Sequence, residues 1–240
     1  MSEDRGEGQG PPEWRITGAA FAVAPGRLDE LARFYCAGLG ISGRRDGAEL
    51  QLHTGSADLT FAAAIEREPF YHFALLVPGN RFEAARGWLA AGTRLLAHPE
   101  TGRTTFDFDF WDARACYAHD PAGNIVELIA HRGIGEAGTK GPFAGRELLG
   151  VSELGLVGDT TAMARLLRED LGLELWDGSL GKGRLAFLGE RARTLILGPA
   201  RRGWLPTGRP AERHPVEAEL SGLTPGSVEL EGGLYRISGH

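Results

Sequence analysis

Two ionisable side chains lie inside apolar segments that are typical of buried β-strands. Glu127 belongs to the segment at residues 124–130, directly after an Asp-Pro-Ala-Gly turn, and His72 belongs to the segment at residues 70–77. A carboxylate in an apolar strand is costly to bury unless a cation or hydrogen-bond donors satisfy it. Residues two apart share a face of a strand, so the small side chain of Ala74 leaves room for a ligand beside His72. The sequence therefore predicts a compensating partner for Glu127.

The elements that carry these residues recur along the chain. The order of a strand, a helix and further strands occurs three times, and the last part of the chain has strand patterns only, which predicts a degenerate or truncated fourth unit. Helices are predicted from Pro25-Gly26 to Gly38 or Gly40, and at residues 81–91 and 159–171. Strands are predicted at residues 16–24, 50–54, 59–64, 70–77, 104–108, 113–119, 124–130, 149–157, 173–176, 184–188, 194–197, 216–220, 228–230 and 234–237.

One of these hairpins resembles a known family. Residues 117–128 read Tyr-Ala-His-Asp-Pro-Ala-Gly-Asn-Ile-Val-Glu-Leu, which is similar to the closing hairpin of a module of the vicinal oxygen chelate superfamily, the superfamily of glyoxalase I, bleomycin-resistance proteins and extradiol dioxygenases. The resemblance implies an α+β fold in which paired βαβββ modules form two glyoxalase/dioxygenase-like domains. In the metalloenzymes of the superfamily, the glutamate at this place binds a metal together with a histidine of the first strand. The resemblance therefore implies that Glu127 and His72 are metal ligands.

The same pattern gives predicted domain boundaries. Residues 1–13, rich in Gly, Glu and Pro, are predicted to form a flexible tail. Residues 14–131 form the first predicted domain with two modules, and residues 148–240 form the second, whose second module is truncated. The glycine- and proline-rich residues 132–147 are the predicted linker between them.

The further metal ligands are less clear than the first two. Alignment of the first module with the second places Ala19 opposite His72, so the first module lacks the ligand that the superfamily pattern implies. The first strand of the third module carries Glu153 at the place equivalent to His72. If modules two and three faced each other, His72, Glu127 and Glu153 would form one set of three ligands. With the usual pairing of modules they would lie in separate cavities, and both arrangements stay open.

Four other residues are candidates for contact with a substrate. Tyr117 shares a predicted strand face with small alanines, and Trp111 lies in the loop before the hairpin, where it would form the rim of a pocket. His53 and His119 would contribute only if the fold brought them near the metal; a turn residue and a surface hairpin residue are the alternative interpretations. The arginine-rich segment at residues 201–213, with a tryptophan among the arginines, would bind an anionic ligand or a partner, or form a solvated loop.

Composition limits the class of partner. The chain has 240 residues, 42% of them hydrophobic, and a net charge of −6 without a basic run, which argues against nucleic acid or an anionic membrane surface and favours a small molecule. No apolar segment approaches the ~20 residues that span a bilayer. Cys36 and Cys116 are too few for a disulfide framework and indicate a reducing, cytoplasmic setting. Paired modules of this superfamily also assemble between chains, which makes a homodimer one expected arrangement.

Two functions are compatible with these residues. The first is a divalent-metal-dependent enzyme, similar to a ring-cleaving dioxygenase or to a lyase or isomerase, that acts on a small molecule with vicinal oxygens. An imidazole and a carboxylate suit Fe(II), Mn(II), Ni(II) or Zn(II) as the cofactor. The second is a metal-free protein of the bleomycin-resistance type that binds a small molecule. If His72 and Glu127 share an ion, the carboxylate and the imidazole nitrogen should lie within about 4.5 Å of each other.

Overall fold

The structure is a computed structural model that describes residues 14–64, 68–181 and 183–240. The predicted flexible tail at residues 1–13 lies outside the described residues. The fold is α+β, with one large mixed sheet and three short α-helices among the described residues. None of those helices is long and apolar enough to cross a membrane.

The elements follow the predicted repeat. The first unit contains β1 (Arg15–Val23), α1 (Leu28–Ala32) with a π-helical continuation (Arg33–Gly38), β2 (Gly43–Asp46), β3 (Glu49–His53) and β4 (Asp58–Ala63). The second contains β5 (His72–Leu76), α2 (Phe82–Gly92), β6 (Leu95–Leu96), β7 (Phe106–Phe108), β8 (Ala113–His119) and β9 (Ile125–His131). The third contains β10 (Gly150–Val157), α3 (Thr160–Leu171), β11 (Leu175–Gly178), β12 (Ala186–Glu190) and β13 (Arg193–Gly198). A hairpin of β14 (Gly203–Trp204) and β15 (Arg209–Pro210) precedes β16 (Val216–Ser221), β17 (Gly226–Leu230) and β18 (Tyr235–Gly239).

One feature of the last part of the chain differs from the sequence-based expectation. The last unit consists of three strands without a helix, as its pattern predicted, but the segment before it is not a simple loop. Its residues form the short hairpin β14–β15, which is hydrogen-bonded separately from the main sheet. Alternating apolar residues did not indicate this hairpin because its strands are only two residues long.

The main sheet pairs the repeated units in a specific way. The strand β5 runs parallel to β9 and antiparallel to β10, so the second unit adjoins the third. The strand β1 runs parallel to β4 and antiparallel to β16, so the first unit adjoins the last. We call the first group, with strands β5, β8, β9, β10, β12 and β13, the site half, and the group with strands β1, β3, β4, β16 and β18 the open half. Hydrogen bonds thus cross the predicted boundary between residues 14–131 and 148–240, and the division into those two domains stays a prediction.

The helices cover one face of this sheet and form the main core with it. In α3, an apolar stripe of Met163, Leu167 and Leu171 is buried. The side chain of Asp159 accepts hydrogen bonds from two amide groups of the first turn, and Gly172 ends the helix with a φ of 77°. A second, smaller apolar cluster lies on the opposite face of the sheet and only in the site half. The cavity that contains the candidate residues is bordered by this second cluster.

Candidate functional site

One imidazole and two carboxylate side chains meet on the face of the site half that carries the second apolar cluster. His72 begins β5, Glu127 lies in β9 and Glu153 lies in β10. The register explains why they meet, because Ala74 of the central strand pairs with Glu127 on one side and with Glu153 on the other. All three side chains are buried, with at most 6% of each residue exposed, and their ligand atoms lie within 4.8 Å of one another. The arrangement in which modules two and three face each other is therefore the one observed.

The turn before β9 fixes the position of Glu127 relative to His72. Asp120 Oδ1 accepts hydrogen bonds of 3.0 Å from the backbone N–H groups of Ala122 and Asn124. Gly123 adopts a φ of 80°, which disfavours residues with a side chain. The side-chain oxygen of Asn124 then accepts a hydrogen bond of 2.9 Å from the N–H of Tyr71, directly before His72. The Asp-Pro-Ala-Gly-Asn sequence thus links the starts of β5 and β9.

His72 presents a free nitrogen to the two carboxylates. Its Nδ1–H donates to the carbonyl oxygen of Ile125 over 3.2 Å, which leaves Nε2 without a proton in the neutral ring. Burial lowers the pKa of His72 to about 4, so the ring is neutral at pH 7. Its Nε2 lies 3.5 Å from Glu127 Oε2, well within the separation expected of two ligands of one ion. That distance is long for a direct hydrogen bond but matches two atoms bound at ~2.0–2.2 Å to a common metal.

No arginine or lysine among the described residues is paired with either of the two glutamates. Burial, followed by the charge of Glu153, raises the pKa of Glu127 well above its usual range, while a hydrogen bond from the Tyr117 hydroxyl opposes that rise. Burial likewise raises the pKa of Glu153 to about 8. No cationic side chain contributes to either shift, and none forms an ion pair with either carboxylate among the described residues. The site is therefore electrostatically incomplete.

A divalent cation would supply the positive charge that these two carboxylates lack. The donor set of one imidazole nitrogen and two carboxylates is one that borderline transition metals accept. In addition, the buried hydroxyl of Thr194, which pairs with Glu153 in the β10–β13 ladder, has no hydrogen-bond partner among the described residues. A bound ion would supply the missing charge, and its water ligands would give such a hydroxyl a partner.

The walls of the cavity are mostly aromatic and apolar. The cavity has a volume of about 60 Å³ beside the three donors. Trp111 packs against Trp176 at a tilt and against Phe187 edge to face, and its indole N–H donates to Asp177 over 2.6 Å. Arg191 donates to the backbone carbonyl of Trp111 over 3.2 Å, which fixes the chain at that point. The lining residues are His72, Phe108, Trp111, Tyr117, Glu127, Glu153, Leu185, Phe187, Ile196, Arg202, Trp204 and Leu205.

The hairpin β14–β15 lies over one side of this cavity, and we call it the cover hairpin. Its Trp204 is buried, with its ring centroid 5.0 Å from that of His72. Gly155 makes room for the indole, because a Cβ there would lie 2.9 Å from the Trp204 ring. On the far side, the guanidinium of Arg209 lies over the ring of Phe70 at 3.4 Å and donates to a turn carbonyl. The cover hairpin follows β13 in the chain but packs against the second unit.

The structure brings some of the predicted residues together and leaves others apart. Tyr117 and Trp111 line the cavity, as their positions suggested. His53 lies exposed in the open half, where its Nδ1 is 2.9 Å from Asp58, and His119 faces the carbonyl of Asn124 at the turn. Neither histidine lines the cavity, since β3 belongs to the other half of the sheet and His119 lies at the far end of β8.

The alignment that placed Ala19 opposite His72 selected the wrong face of β1. Ala19 is buried in the main core. Ala20 pairs with Thr60 and Glu217 as Ala74 pairs with Glu127 and Glu153, so Gly18 is the residue equivalent to His72. A register irregularity between Ile16 and Gly18 shifts the alternation of side chains, which a comparison of apolar runs does not reveal.

The position of the cover hairpin beside the cavity was not predicted from the sequence. Trp204 and Arg202 border the cavity, although their segment was expected to form a solvated loop unless it bound an anionic ligand or a partner. The signal was a tryptophan in a segment otherwise rich in Arg, Gly and Pro, because so large an apolar side chain is rarely left in solvent. Ile196 and Phe187 gave no such signal, since apolar residues occur in every strand.

Comparison with known proteins identifies the architecture. No protein-family model matches the sequence, and no curated protein sequence matches it. Among solved structures, glyoxalase I from Zea mays is 16% identical and superposes with a TM-score of 0.51 over 95% of this chain and 92% of that chain. A "putative dioxygenase" from Bacillus subtilis is 14% identical, with a TM-score of 0.59 over 94% of this chain and 84% of that chain. At such identities the likeness establishes the fold alone, and the chain has the vicinal oxygen chelate fold.

Proposed function

We propose that this protein is a metal-dependent enzyme of the glyoxalase/dioxygenase type that acts on a small molecule with two vicinal oxygens. His72, Glu127 and Glu153 hold one divalent ion, with Fe(II), Mn(II), Ni(II) and Zn(II) as the candidates. The observation that carries the proposal is the burial of two carboxylates and a neutral imidazole within 4.8 Å of one another, without a cationic partner among the described residues. The reaction is a ring cleavage like that of a dioxygenase, or a lyase or isomerase reaction.

The residues around the donors have separate roles in this proposal. When bound, the ion acts as a Lewis acid towards the two substrate oxygens. The Tyr117 hydroxyl orients the Glu127 carboxylate through its hydrogen bond, and the carbonyl of Ile125 keeps the His72 nitrogen available. Trp204 excludes water from the site, because its buried indole covers the imidazole. Trp111 and Tyr117 are the substrate-contacting residues, while His53 and His119 have no part.

The three donors come from strands of a single chain. The pairing of β5 with β9 and β10 completes the cluster without a second copy. A homodimer therefore stays a prediction that the proposed chemistry does not require.

Reconstitution with metal tests the proposal. Purified protein is stripped with a chelator, loaded separately with the four candidate ions, Fe(II) under anaerobic conditions, and analysed for bound metal by mass spectrometry. We expect about one equivalent of at least one ion, lost in His72→Ala, Glu127→Gln and Glu153→Gln. Glu217→Gln is the matched control, because Glu217 is an exposed glutamate of the open half. Circular dichroism establishes that each variant is folded.

The opposite outcome points to the other candidate function. If none of the four ions binds to folded protein in stoichiometric amount, the metal-dependent function is wrong. The aromatic walls of the cavity would then serve a metal-free protein that binds a small molecule, as in the bleomycin-resistance type.

A further inference from the structure

We propose that the substrate is an acid: besides its two vicinal oxygens, it carries a carboxylate or a similar anionic group on an aromatic body, and Arg202 binds that group. This inference rests on the proposed metal-dependent function and specifies its substrate class. It is carried by the position, the contacts and the surroundings of Arg202.

The cavity has two polar parts and an apolar middle. His72, Glu127 and Glu153 form one polar part, and Arg202 is the only cationic residue among the described residues that line the cavity. Arg202 forms no ion pair with either glutamate, although all of them border the same cavity. The other lining side chains are apolar or aromatic, except for the Tyr117 hydroxyl. Such a cavity matches a flat apolar molecule with oxygens for the ion and a separate anionic group.

Arg201 and Arg202 are the two arginines of the segment at residues 201–213 whose side chains form no ion pair or hydrogen bond to another described segment, and of the two only Arg202 lines the cavity. Arg209 donates to the carbonyl of Gly123 and lies over an aromatic ring, and Arg213 forms an ion pair of 2.9 Å with Glu231. The guanidinium of Arg202 donates only to the adjacent backbone carbonyl of Gly203 over 3.1 Å. In a chain with a net charge of −6, a half-buried cation without a carboxylate partner is available for an anionic ligand.

The small volume of the cavity implies that the cover hairpin takes part in ligand binding. About 60 Å³ is well below the ~300–1,000 Å³ of typical ligand sites. The cavity must therefore widen to admit an aromatic substrate, and in this proposal the cover hairpin is the wall that moves outward. Arg202 directly precedes its first strand, so the charge travels with the cover hairpin. An acid bound to the ion and to Arg202 then holds the cover hairpin over the site.

A pair of probes that differ only in charge tests the inference. Protein loaded with Zn(II), which has no redox chemistry, is titrated by calorimetry with 3,4-dihydroxybenzoate and with 3,4-dihydroxybenzamide. The pair with one more methylene group, 3,4-dihydroxyphenylacetate and its amide, allows for a longer distance to Arg202. We expect the acid of at least one pair to bind about tenfold more tightly than its amide, as is typical of a charge-assisted hydrogen bond.

Variants attribute this preference to one side chain. Arg202→Gln should reduce the preference to less than about twofold and leave the affinity for the amides almost unchanged, because only the charge contact is lost. Arg202→Lys should retain part of the preference, and it serves as the second variant if the glutamine variant does not fold. Arg201→Gln should keep the full preference, because Arg201 is an exposed neighbour that does not line the cavity.

The outcomes separate this inference from the function on which it rests. If the protein binds one equivalent of Zn(II) but shows no preference for either acid, or binds neither pair, the substrate class is wrong and the metal site stands. A preference that survives in Arg202→Gln would also overturn the inference. If the folded protein binds none of the four ions, the proposed function fails, and the substrate class fails with it.

Discussion

The two halves of the sheet have the same strand pattern but opposite surroundings. In the site half, Ala74 pairs with Glu127 and Glu153; in the open half, Ala20 pairs in the same way with Thr60 and Glu217. The two glutamates of the site half are buried, whereas Glu217 is exposed and Thr60 is only partly buried. The equivalent face of the open half borders a cavity of about 230 Å³ with mostly polar walls.

The difference shows which features of the site half go beyond the sheet register that the two halves share. Glu153 and Glu217 occupy equivalent places, so a carboxylate in this register is not sufficient to form a buried cluster of donors. The site half adds His72 and a second carboxylate, and it covers them with Trp204 and an apolar cluster. The buried carboxylates of the site half need a ligand to be stable in their charged form. Water solvates the exposed carboxylate of Glu217 in the open half.

Removal of a donor from the site half should have the largest effect. We expect His72→Ala to weaken metal binding more than about a hundredfold, or ~2.7 kcal/mol, because two carboxylates alone leave the ion without its nitrogen ligand. Thr60→Ala, at the register of the open half that corresponds to Glu127, should leave the dissociation constant unchanged. Competition against a chelating dye measures both constants, and equal values for the two variants would contradict the comparison.

The pH dependence of stability should be the next largest effect. The folded protein raises the pKa of Glu153 to about 8 through burial, so it binds a proton more tightly than the unfolded chain does. That stabilisation is fully present below pH ~4.5 and is lost as the pH rises towards 8. Burial lowers the pKa values of His72 and His131 to about 4, which favours the folded state as the pH rises to ~6.5 and opposes the loss there. The net loss of unfolding free energy in the metal-free protein should therefore appear between pH ~6.5 and pH 8 and amount to about 2 kcal/mol.

Urea unfolding of metal-free protein between pH 6.5 and pH 8 measures this loss. Glu153→Gln should flatten the dependence, while Glu217→Gln should leave it as in the unmodified protein. Bound metal should abolish or reverse the dependence, because the ion replaces the proton. A metal-free protein that becomes more stable towards pH 8 would disprove the prediction.

Two glycines test the packing under the cover hairpin. Gly155→Ala should destabilise the protein by about 1–3 kcal/mol, because its Cβ would lie 2.9 Å from the Trp204 ring and 3.1 Å from a backbone oxygen. Gly18→Ala in the open half should change stability by less than about 0.5 kcal/mol, because its nearest neighbour is the exposed, flexible side chain of Glu219. Urea unfolding monitored by tryptophan fluorescence compares them. Equal losses would show that the cover hairpin is not tightly packed.

The smallest expected effect is a weak new site in the open half. Gly18→His with Thr60→Glu places three donors, including native Glu217, at the register of the site half. In a His72→Ala background we expect binding of Ni(II) at least about a hundredfold weaker than in the unmodified protein, because exposed side chains are not held in place. Calorimetry measures this affinity. Affinity equal to that of the site half would show that burial and the cover hairpin are unnecessary.

Much of the fold was predictable because local pattern and tertiary structure agree. The helix predicted at residues 159–171 is observed as Thr160–Leu171, and the strand predicted at residues 113–119 is observed as Ala113–His119. The approach of His72 to Glu127 was predictable for a related reason, since both belong to one repeated unit whose first and last strands are adjacent. The 3.5 Å separation of these side chains confirms that expectation.

The place of Glu153 could not be predicted in the same way. Whether Glu153 lies near His72 and Glu127 depends on which unit the third unit pairs with, the second or the fourth. The apolar edge of its strand is compatible with either pairing. The cover hairpin was also outside the reach of local pattern, because Trp204 is buried only through contacts with strands distant in sequence.

The sequence by itself determined the repeated unit, the α+β class and the pair of His72 and Glu127, because periodic apolar residues and one turn motif encode them locally. Only the tertiary structure decided that Glu153 completes the cluster, that His53 and His119 lie elsewhere, and that Arg202 borders the cavity. The physical reason is that strand pairing between repeated units, and the burial that follows from it, depends on contacts between segments far apart in the chain.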